Sequence, residues 1–576
     1  MHGILSGTHR RLSLCAAAAA TAAIAAAICA GAANNSAAAT SSRGTSQGPF
    51  FTWDVAHDTS PTLRDLAASR IPPGDVEDPA DEVEGGPLAQ GDTSSADGAL
   101  QSVMPPTTIP STQANFEGLS NQDNFNIFGF RVNPPDPNGE VGPNNYVEMI
   151  NLVFGVYDKA GNRLLGPVDT GTLWSGFAIP DCTDPSGDPV VMYDQFTDRW
   201  ILTQFTTRGP EYWNCVAVST TSDPTGSYYR YAFSTGPNFP DYPKYGNWKD
   251  SYVITTREFG PTTEYGIGVY ALEKNKMVNG EPARSVRFFI DGNVAANLPL
   301  VGDGLLPADI DGKTKPKNED TTPLVGTQDD NASYGATFDA LNIWDLTVKW
   351  RSTPFASLAL NTQLPTASFD SIFPCGPTSS RDCLPQPGIP VGDPRTLDIL
   401  SYRQRPTFRL AYRAFKDYDT MVTNQSVEAR PGVAGVRWYE IRRVGNTYSI
   451  YQQGTYAPDD GIHRWMGSIA MDKKGDMGLG YSVVNGTNVY PGIRYTGRLA
   501  GDPAGEMTLG EGTIIDGTGV QTTTNSRWGD YTDMTVDPVD DCTFWYVNEY
   551  YLTSGTAADG RPWHTRIASF KLPGCS

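Results

Sequence analysis

The chain has 576 residues, 64 acidic against 43 basic side chains, a net charge of −21, 8 cysteines and 5 histidines. That acidity excludes nucleic acid and anionic lipid as partners, because both require basic surface. Beyond position 57 the histidines are His463 and His564, which argues against a multi-histidine metal centre.

The N-terminus opens MHGILSGTHRRLSLC, with Arg10 and Arg11 ahead of an alanine-rich apolar run from Leu12 to Ala33. A basic flank, an apolar run and the small residues Ala30-Gly31-Ala32 predict a secretory signal peptide over 1–33, with an uncleaved membrane anchor as the alternative. The lipoprotein reading is set aside because Ile28 precedes Cys29 and Leu14 precedes Cys15, where a small residue is needed. No later run has the apolar length of a transmembrane helix. The expected location is secreted or extracellular, the cell surface included, with no membrane contact after cleavage.

Residues 34–117 hold few large apolar side chains. The stretch IPPGDVEDPADEVEGGPLAQGDTSSADG (71–98) cannot bury a core. This segment is predicted to be a disordered spacer or propeptide, with FFTWDV (50–55) able to dock on the domain that follows.

From 118 to 576 the character changes. Short runs rich in Val, Ile, Tyr, Trp and Phe, such as YVEMINLVFGVYD, RWILTQFT, SYVITTREF and TFWYVNEYY, alternate with Gly, Pro, Asn and Asp. That pattern predicts an all-β domain of many short strands. An Asp followed four residues later by Asp or Asn closes four of these runs: Asp158/Asn162, Asp194/Asp198, Asp472/Asp476 and Asp537/Asp541. Such pairs are hairpin turns, since these side chains bond nearby amides and tolerate left-handed backbone. A second recurrence is a polar segment with Asp, Pro, Gly and an aromatic: 134–143, 186–194, 241–253, 305–312, 463–472 and 526–537. Counting the strand-rich stretch 397–443, seven units result. They predict a single β-propeller of seven blades by this spacing, with six or eight compatible and a β-solenoid as runner-up.

The remaining six cysteines form three sequence-local pairs: Cys182 with Cys215, Cys375 with Cys383, and Cys542 with Cys575. An even count in an exported chain reads as disulfides, and the local pairing is one of 15 connectivities. Zinc is disfavoured by the lack of any C-x2-C pair.

The strings GDPVVMYDQFTDRW and SRWGDYTDMTVDPVDDCTFWYVNEYY, with RWYEIRR between them, resemble a group of exported bacterial β-propeller-like proteins of unsettled function. The resemblance spans most of 130–575. It implies fold and export and brings no catalytic residues.

No P-loop, no dinucleotide fingerprint, no H-E-x-x-H and no EF-hand loop occurs. In a propeller the loops entering the inner strands gather at one mouth of the central channel. The predicted ligand-binding residues at that mouth are Asp188, Asp241, Trp248, Asp309, His463, Trp465, Arg527, Trp528, Asp530 and Tyr531, and Asp136 could join them. The carboxylates suit a calcium ion or acid–base work on a glycosidic bond, or they cap strands. Arg527 suits a carboxylate or sulfate, and the aromatics suit sugar rings or packing between blades. DIDG (309–312) resembles part of a calcium loop. No cofactor is identified, and calcium is the one ion the composition favours. The expected function is binding of a glycan, a peptide or an extracellular protein by a monomer. The alternative is a polysaccharide hydrolase or lyase using the same mouth, with His463, Tyr531 and Arg527 as the residues a lyase would need.

Overall fold

A computed structural model describes residues 44–70, 96–260, 266–318, 320–330, 335–371, 382–399, 404–523 and 526–576. The predicted signal peptide, residues 71–95 and Cys375 lie outside the described residues, as does the side chain of Cys383.

Apart from short helices, the described chain is β-structure. Each unit read from the sequence is an antiparallel meander that starts on an inner strand. The inner strands are Asn138–Val141, Val191–Asp194, Phe239–Asn247, Leu306–Ile310, Thr407–Ala414, His463–Met471 and Asp533–Val536. Six lie in the recurrent polar segments and the seventh lies in 397–443. Each inner strand touches the next around the ring, and the last, Asp533–Val536, touches the first, Asn138–Val141. That closed cycle of meanders is a β-propeller. The blades are numbered here in the order of their inner strands. In blades 4 and 5 the inner strands also pair in parallel, Ala308 opposite Leu410.

The Asp-x3-Asp/Asn pairs are the expected turns. Asp158 Oδ1 accepts from the amides of Ala160 and Asn162, both at 2.9 Å. Asp472 Oδ1 accepts from Lys474 and Asp476, at 2.8 and 3.0 Å. Asp198 and Asp541 take the left-handed backbone, at φ 61° and 55°. Three of the four turns join an inner strand to the second strand of its blade, and Asp158 joins the third to the fourth.

The disordered spacer expected over 34–117 needs correction. Residues 44–70 and 96–117 are built into the rim of the ring. Gln47–Trp53 pairs with Arg284–Asp291 of blade 3, and Ala56–Thr59 pairs with Tyr228–Gly236 of blade 2. Leu100–Gln101 lies beside Thr447–Tyr456 of blade 5. Ala114–Ser120 is the outermost strand of blade 7, against Trp563–Lys571. The N-terminal run therefore supplies the strand that completes the last blade, and the domain begins well before 118. These are edge strands, held by main-chain hydrogen bonds with one face in solvent, so a scarcity of apolar side chains does not prevent them from ordering.

Two of the expected disulfides are present, Cys182–Cys215 and Cys542–Cys575. The first ties the turn Pro180–Thr183 to blade 2, and the second ties the start of the strand Thr543–Tyr551 to the C-terminus. No described helix is long and apolar enough to cross a membrane.

Candidate functional site

Because the meanders repeat, the starts of the inner strands share one end of the ring, called here the upper mouth. Asp136 and Asp188 stand just before the inner strands of blades 1 and 2, each with positive φ (48° and 49°) and each followed by proline. Aspartate is among the few side chains that adopt this conformation readily. Asp136 accepts from the Asp530 amide at 2.6 Å and from Asn151 Nδ2 at 2.7 Å. Asn151 Oδ1 in turn accepts from the Asp188 amide at 2.9 Å. The Tyr531 hydroxyl lies 3.0 Å from Asp188 Oδ2 and 2.8 Å from the Pro243 carbonyl, both acceptors for its proton. Arg527 Nη2 donates to Asp530 Oδ1 at 3.1 Å, and Arg405 Nη2 stands 3.7 Å from Asp530 Oδ2. Blades 1, 2, 3, 5 and 7 thus meet in one buried polar network.

Four predicted residues, Asp188, Arg527, Asp530 and Tyr531, belong to that network. Asp241 lies at the same end, 3.8 Å from Arg257 Nη1 where the inner strand of blade 3 is interrupted between Asp241 and Lys244. All five are at most 3 % exposed.

Next to this network sits a lysine. Lys244 Nζ lies 2.9 Å from the centre of the Tyr242 ring and 3.4 Å from that of Tyr531. A cation over two aromatic faces is attracted by both. Tyr242 holds φ 52°, an uncommon backbone for an aromatic residue. Burial drives the Lys244 amine well below the ordinary lysine value, while the Asp188 carboxylate opposes the shift. Behind the network, Glu549 accepts from the Gly529 amide at 3.3 Å. Burial, with Asp136 adding, pushes its carboxyl well up.

The other predicted residues do not join this network. Asp309 is the fourth residue of its inner strand and belongs to a lower cluster. Arg409 Nε donates to Asp309 Oδ2 at 2.7 Å and Nη2 to Asp311 Oδ1 at 2.8 Å, while the Asn247 amide donates to Asp309 Oδ1 at 2.9 Å. Glu140, Asp309, Asp311 and Arg409 line a separate narrow cleft. Trp248 follows the inner strand of blade 3 and is fully buried edge-on to Tyr412, 4.9 Å between centroids. Trp465 and Trp528 pack on each other at 5.3 Å between blades 6 and 7. These three tryptophans are core and offer no stacking face to a sugar, because an indole gains more from burial between blades than a polar mouth could offer it. His463 is 6 % exposed rather than solvent-facing. Its Nδ1 accepts from the Ala434 amide at 3.3 Å, and burial lowers its pKa to about 4, so the ring is neutral.

The mouth aspartates do not form a group of three within cation-ligand reach. Among the described residues the all-carboxylate group that does is Asp329, Asp330 and Asp339 in blade 4. Asp472 also meets Cys542 and Cys575, but those two are disulfide-bonded.

Sequence reasoning passed over Tyr242, Lys244, Arg405 and Glu549. A local signal for the first two exists: both stand in DYPKYGNW (241–248), the recurrent segment that also carries Asp241 and Trp248. Arg405 precedes Pro406 and the inner strand of blade 5, a position equivalent to the other mouth segments.

No protein-family model matches the chain, and no curated protein matches it by sequence. Among solved structures it is similar to the subtype N10 neuraminidase-like protein of A/little yellow-shouldered bat/Guatemala, at 9% identity over 67% of this chain and 95% of that one, TM-score 0.29. The Bombyx mori GH32 beta-fructofuranosidase aligns at 10% identity over 88% and 97%, TM-score 0.25. The endo-arabinase of Bacteroides thetaiotaomicron aligns at 14% identity over 53% and 92%, TM-score 0.24. At these scores the likenesses carry no argument about ligand or activity. The β-propeller rests on the closed ring of meanders itself.

Proposed function

We propose that this chain is an exported β-propeller that binds a polar ligand, a glycan, a peptide or an extracellular protein, at its upper mouth. The observation that carries the reading is the convergence of Asp136, Asp188, Lys244, Arg405 and Tyr531 from five blades into one network. Burying charged groups is costly. Binding is favoured over turnover because the aspartates are already engaged, Asp136 by the Asp530 amide, Asp188 by the Tyr531 hydroxyl and Asp530 by two arginines, and the tryptophans are packed away.

A second reading, a carbohydrate-active enzyme, draws on one feature. Glu549, whose carboxyl burial pushes well up with Asp136 adding, stands close enough to feel Asp136, which accepts two hydrogen bonds, so two carboxyls in unlike settings share one place. Against it, both are about 1 % exposed.

The test is a screen of the purified chain against a glycan array and a polysaccharide panel, with and without a chelator. Retention without release of reducing ends supports binding. Release of reducing ends or of unsaturated uronate makes the chain an enzyme, and loss of retention with chelator brings in calcium. No retention and no turnover on any of them would contradict the mouth reading for glycans.

A further inference from the structure

Beside the upper mouth a narrow cleft runs between blades 3, 4 and 5. The ionisable side chains on its wall are all basic, Lys244, Arg257 and Arg405, with no carboxylate and one tyrosine, Tyr242, beside them. Two donors on that wall, Lys244 Nζ and Thr256 Oγ1, are buried and have no hydrogen-bond partner among the described residues. The neighbouring Thr255 hydroxyl, by contrast, donates to the Leu305 carbonyl at 2.6 Å. Leaving a buried donor unmet costs roughly 1–3 kcal/mol, and more for a charged one. Two such donors on one cationic wall are a surface complementary to a negatively charged acceptor.

We infer that this cleft is an oxyanion subsite, in which Lys244 and Thr256 hold the carboxylate, sulfate or phosphate group of a larger ligand, with Arg257 and Arg405 beside them. The inference rests on the upper-mouth reading and adds the chemical class of the ligand. Charge balance gives it a signature. Lys244 faces the carboxylates of Asp188, Asp530 and Asp136, the Arg405 guanidinium, and the rings of Tyr242 and Tyr531. Burial, with Arg405 adding, disfavours the ammonium form in this setting. An oxyanion within reach favours it. Binding therefore brings a proton with it: free amine, proton and anion become an ammonium–oxyanion pair, and no net charge enters the cleft.

The experiment is calorimetry of the purified chain with sodium glucuronate, sodium sulfate and sodium phosphate, in two buffers of different ionisation enthalpy. The expected result is saturable binding of at least one oxyanion, proton uptake on binding, and affinity that falls as pH rises. Which of the three binds identifies the source of the group. Lys244→Met keeps the side-chain length against the two tyrosines. It lowers affinity at least about tenfold and abolishes the proton uptake. Thr256→Val, which conserves shape, weakens binding severalfold, and thermal unfolding of both variants checks that they fold. Absence of binding by all three anions, or equal binding by Lys244→Met, overturns the inference. Glucose and N-acetylglucosamine are titrated in parallel. Binding of a neutral sugar alone, lost in Lys244→Met, leaves the mouth reading standing and removes the oxyanion; no binding of either kind, with an empty array, removes both.

Discussion

Asp530 is placed where a ligand-binding carboxylate was expected, yet its side chain spans two arginines, Arg527 at 3.1 Å and Arg405 at 3.7 Å, at 1 % exposure. Removing it takes one carboxylate from two buried guanidinium groups, and breaking a buried ion pair typically costs about 3–5 kcal/mol. Asp530→Ala is therefore expected to lose roughly that much stability in denaturant titration, and a variant of wild-type stability would show that the pair contributes little. Glu148 makes a pH prediction. It accepts from the Leu119 amide at 2.8 Å and from the hydroxyls of Tyr157 and Thr565, and burial raises its pKa to about 7. A carboxyl raised in the folded state adds stability below its unfolded value, near 4.5, and that contribution is lost as pH rises through about 7. Glu148→Gln, which cannot ionise, should gain on the wild type between those values by up to roughly 3 kcal/mol. His463 works in the opposite sense. Its depressed pKa stabilises above the usual histidine value of 6.5 and is lost as pH falls through about 4, so the comparison must be between variants. Of these residues, Asp136, Asp188 and Asp530 were legible because aspartate at a strand start beside proline or glycine is a recurrent local signal. Lys244 was not, since its significance comes from Tyr531, nearly 300 positions away, and no local pattern encodes that distance.

At the scale of elements, the turns and inner strands were legible and the rim was not. Alternation of apolar and turn residues marks a strand that buries a face, whereas Gln47–Trp53 is mostly exposed and Ala114–Ser120 largely half-buried. The strand Ala114–Ser120 completes blade 7, and Gly118 in it lies against Thr565 and Glu148 so closely that any Cβ would collide with both. Gly118→Val should unseat this strand. The expected outcome is a lower Tm and early proteolytic cleavage near 114–120, and an unchanged Tm would mean that the strand is dispensable. The Cys542–Cys575 bridge secures the same blade. Replacing both cysteines by serine is expected to cost about 2–4 kcal/mol, read by unfolding under non-reducing conditions.

For the whole molecule, the repeat fixed which segments lie on the axis, but not at what depth along it each side chain falls. Asp309 shows the difference: as the fourth residue of its inner strand it belongs to the Arg409 cluster and not to the mouth network. The ring consequently presents two distinct polar sites, the upper one mixed in charge with Lys244 and three arginines, and the lower one dominated by Glu140, Asp309, Asp311 and Asp533 around Arg409. The reading of this protein as a binding propeller commits to the upper one. The measurement that tests it most directly is binding of the ligand selected by the array to three proteins: wild type, Lys244→Met at the upper mouth, and Gln195→Ala at the lower cleft, where Gln195 Nε2 donates to the carbonyls of Ile310 and Gly312. Affinity should fall at least about tenfold in Lys244→Met and stay near wild type in Gln195→Ala. Loss of binding in Gln195→Ala with Lys244→Met unaffected would place the ligand at the other end of the channel and contradict the account.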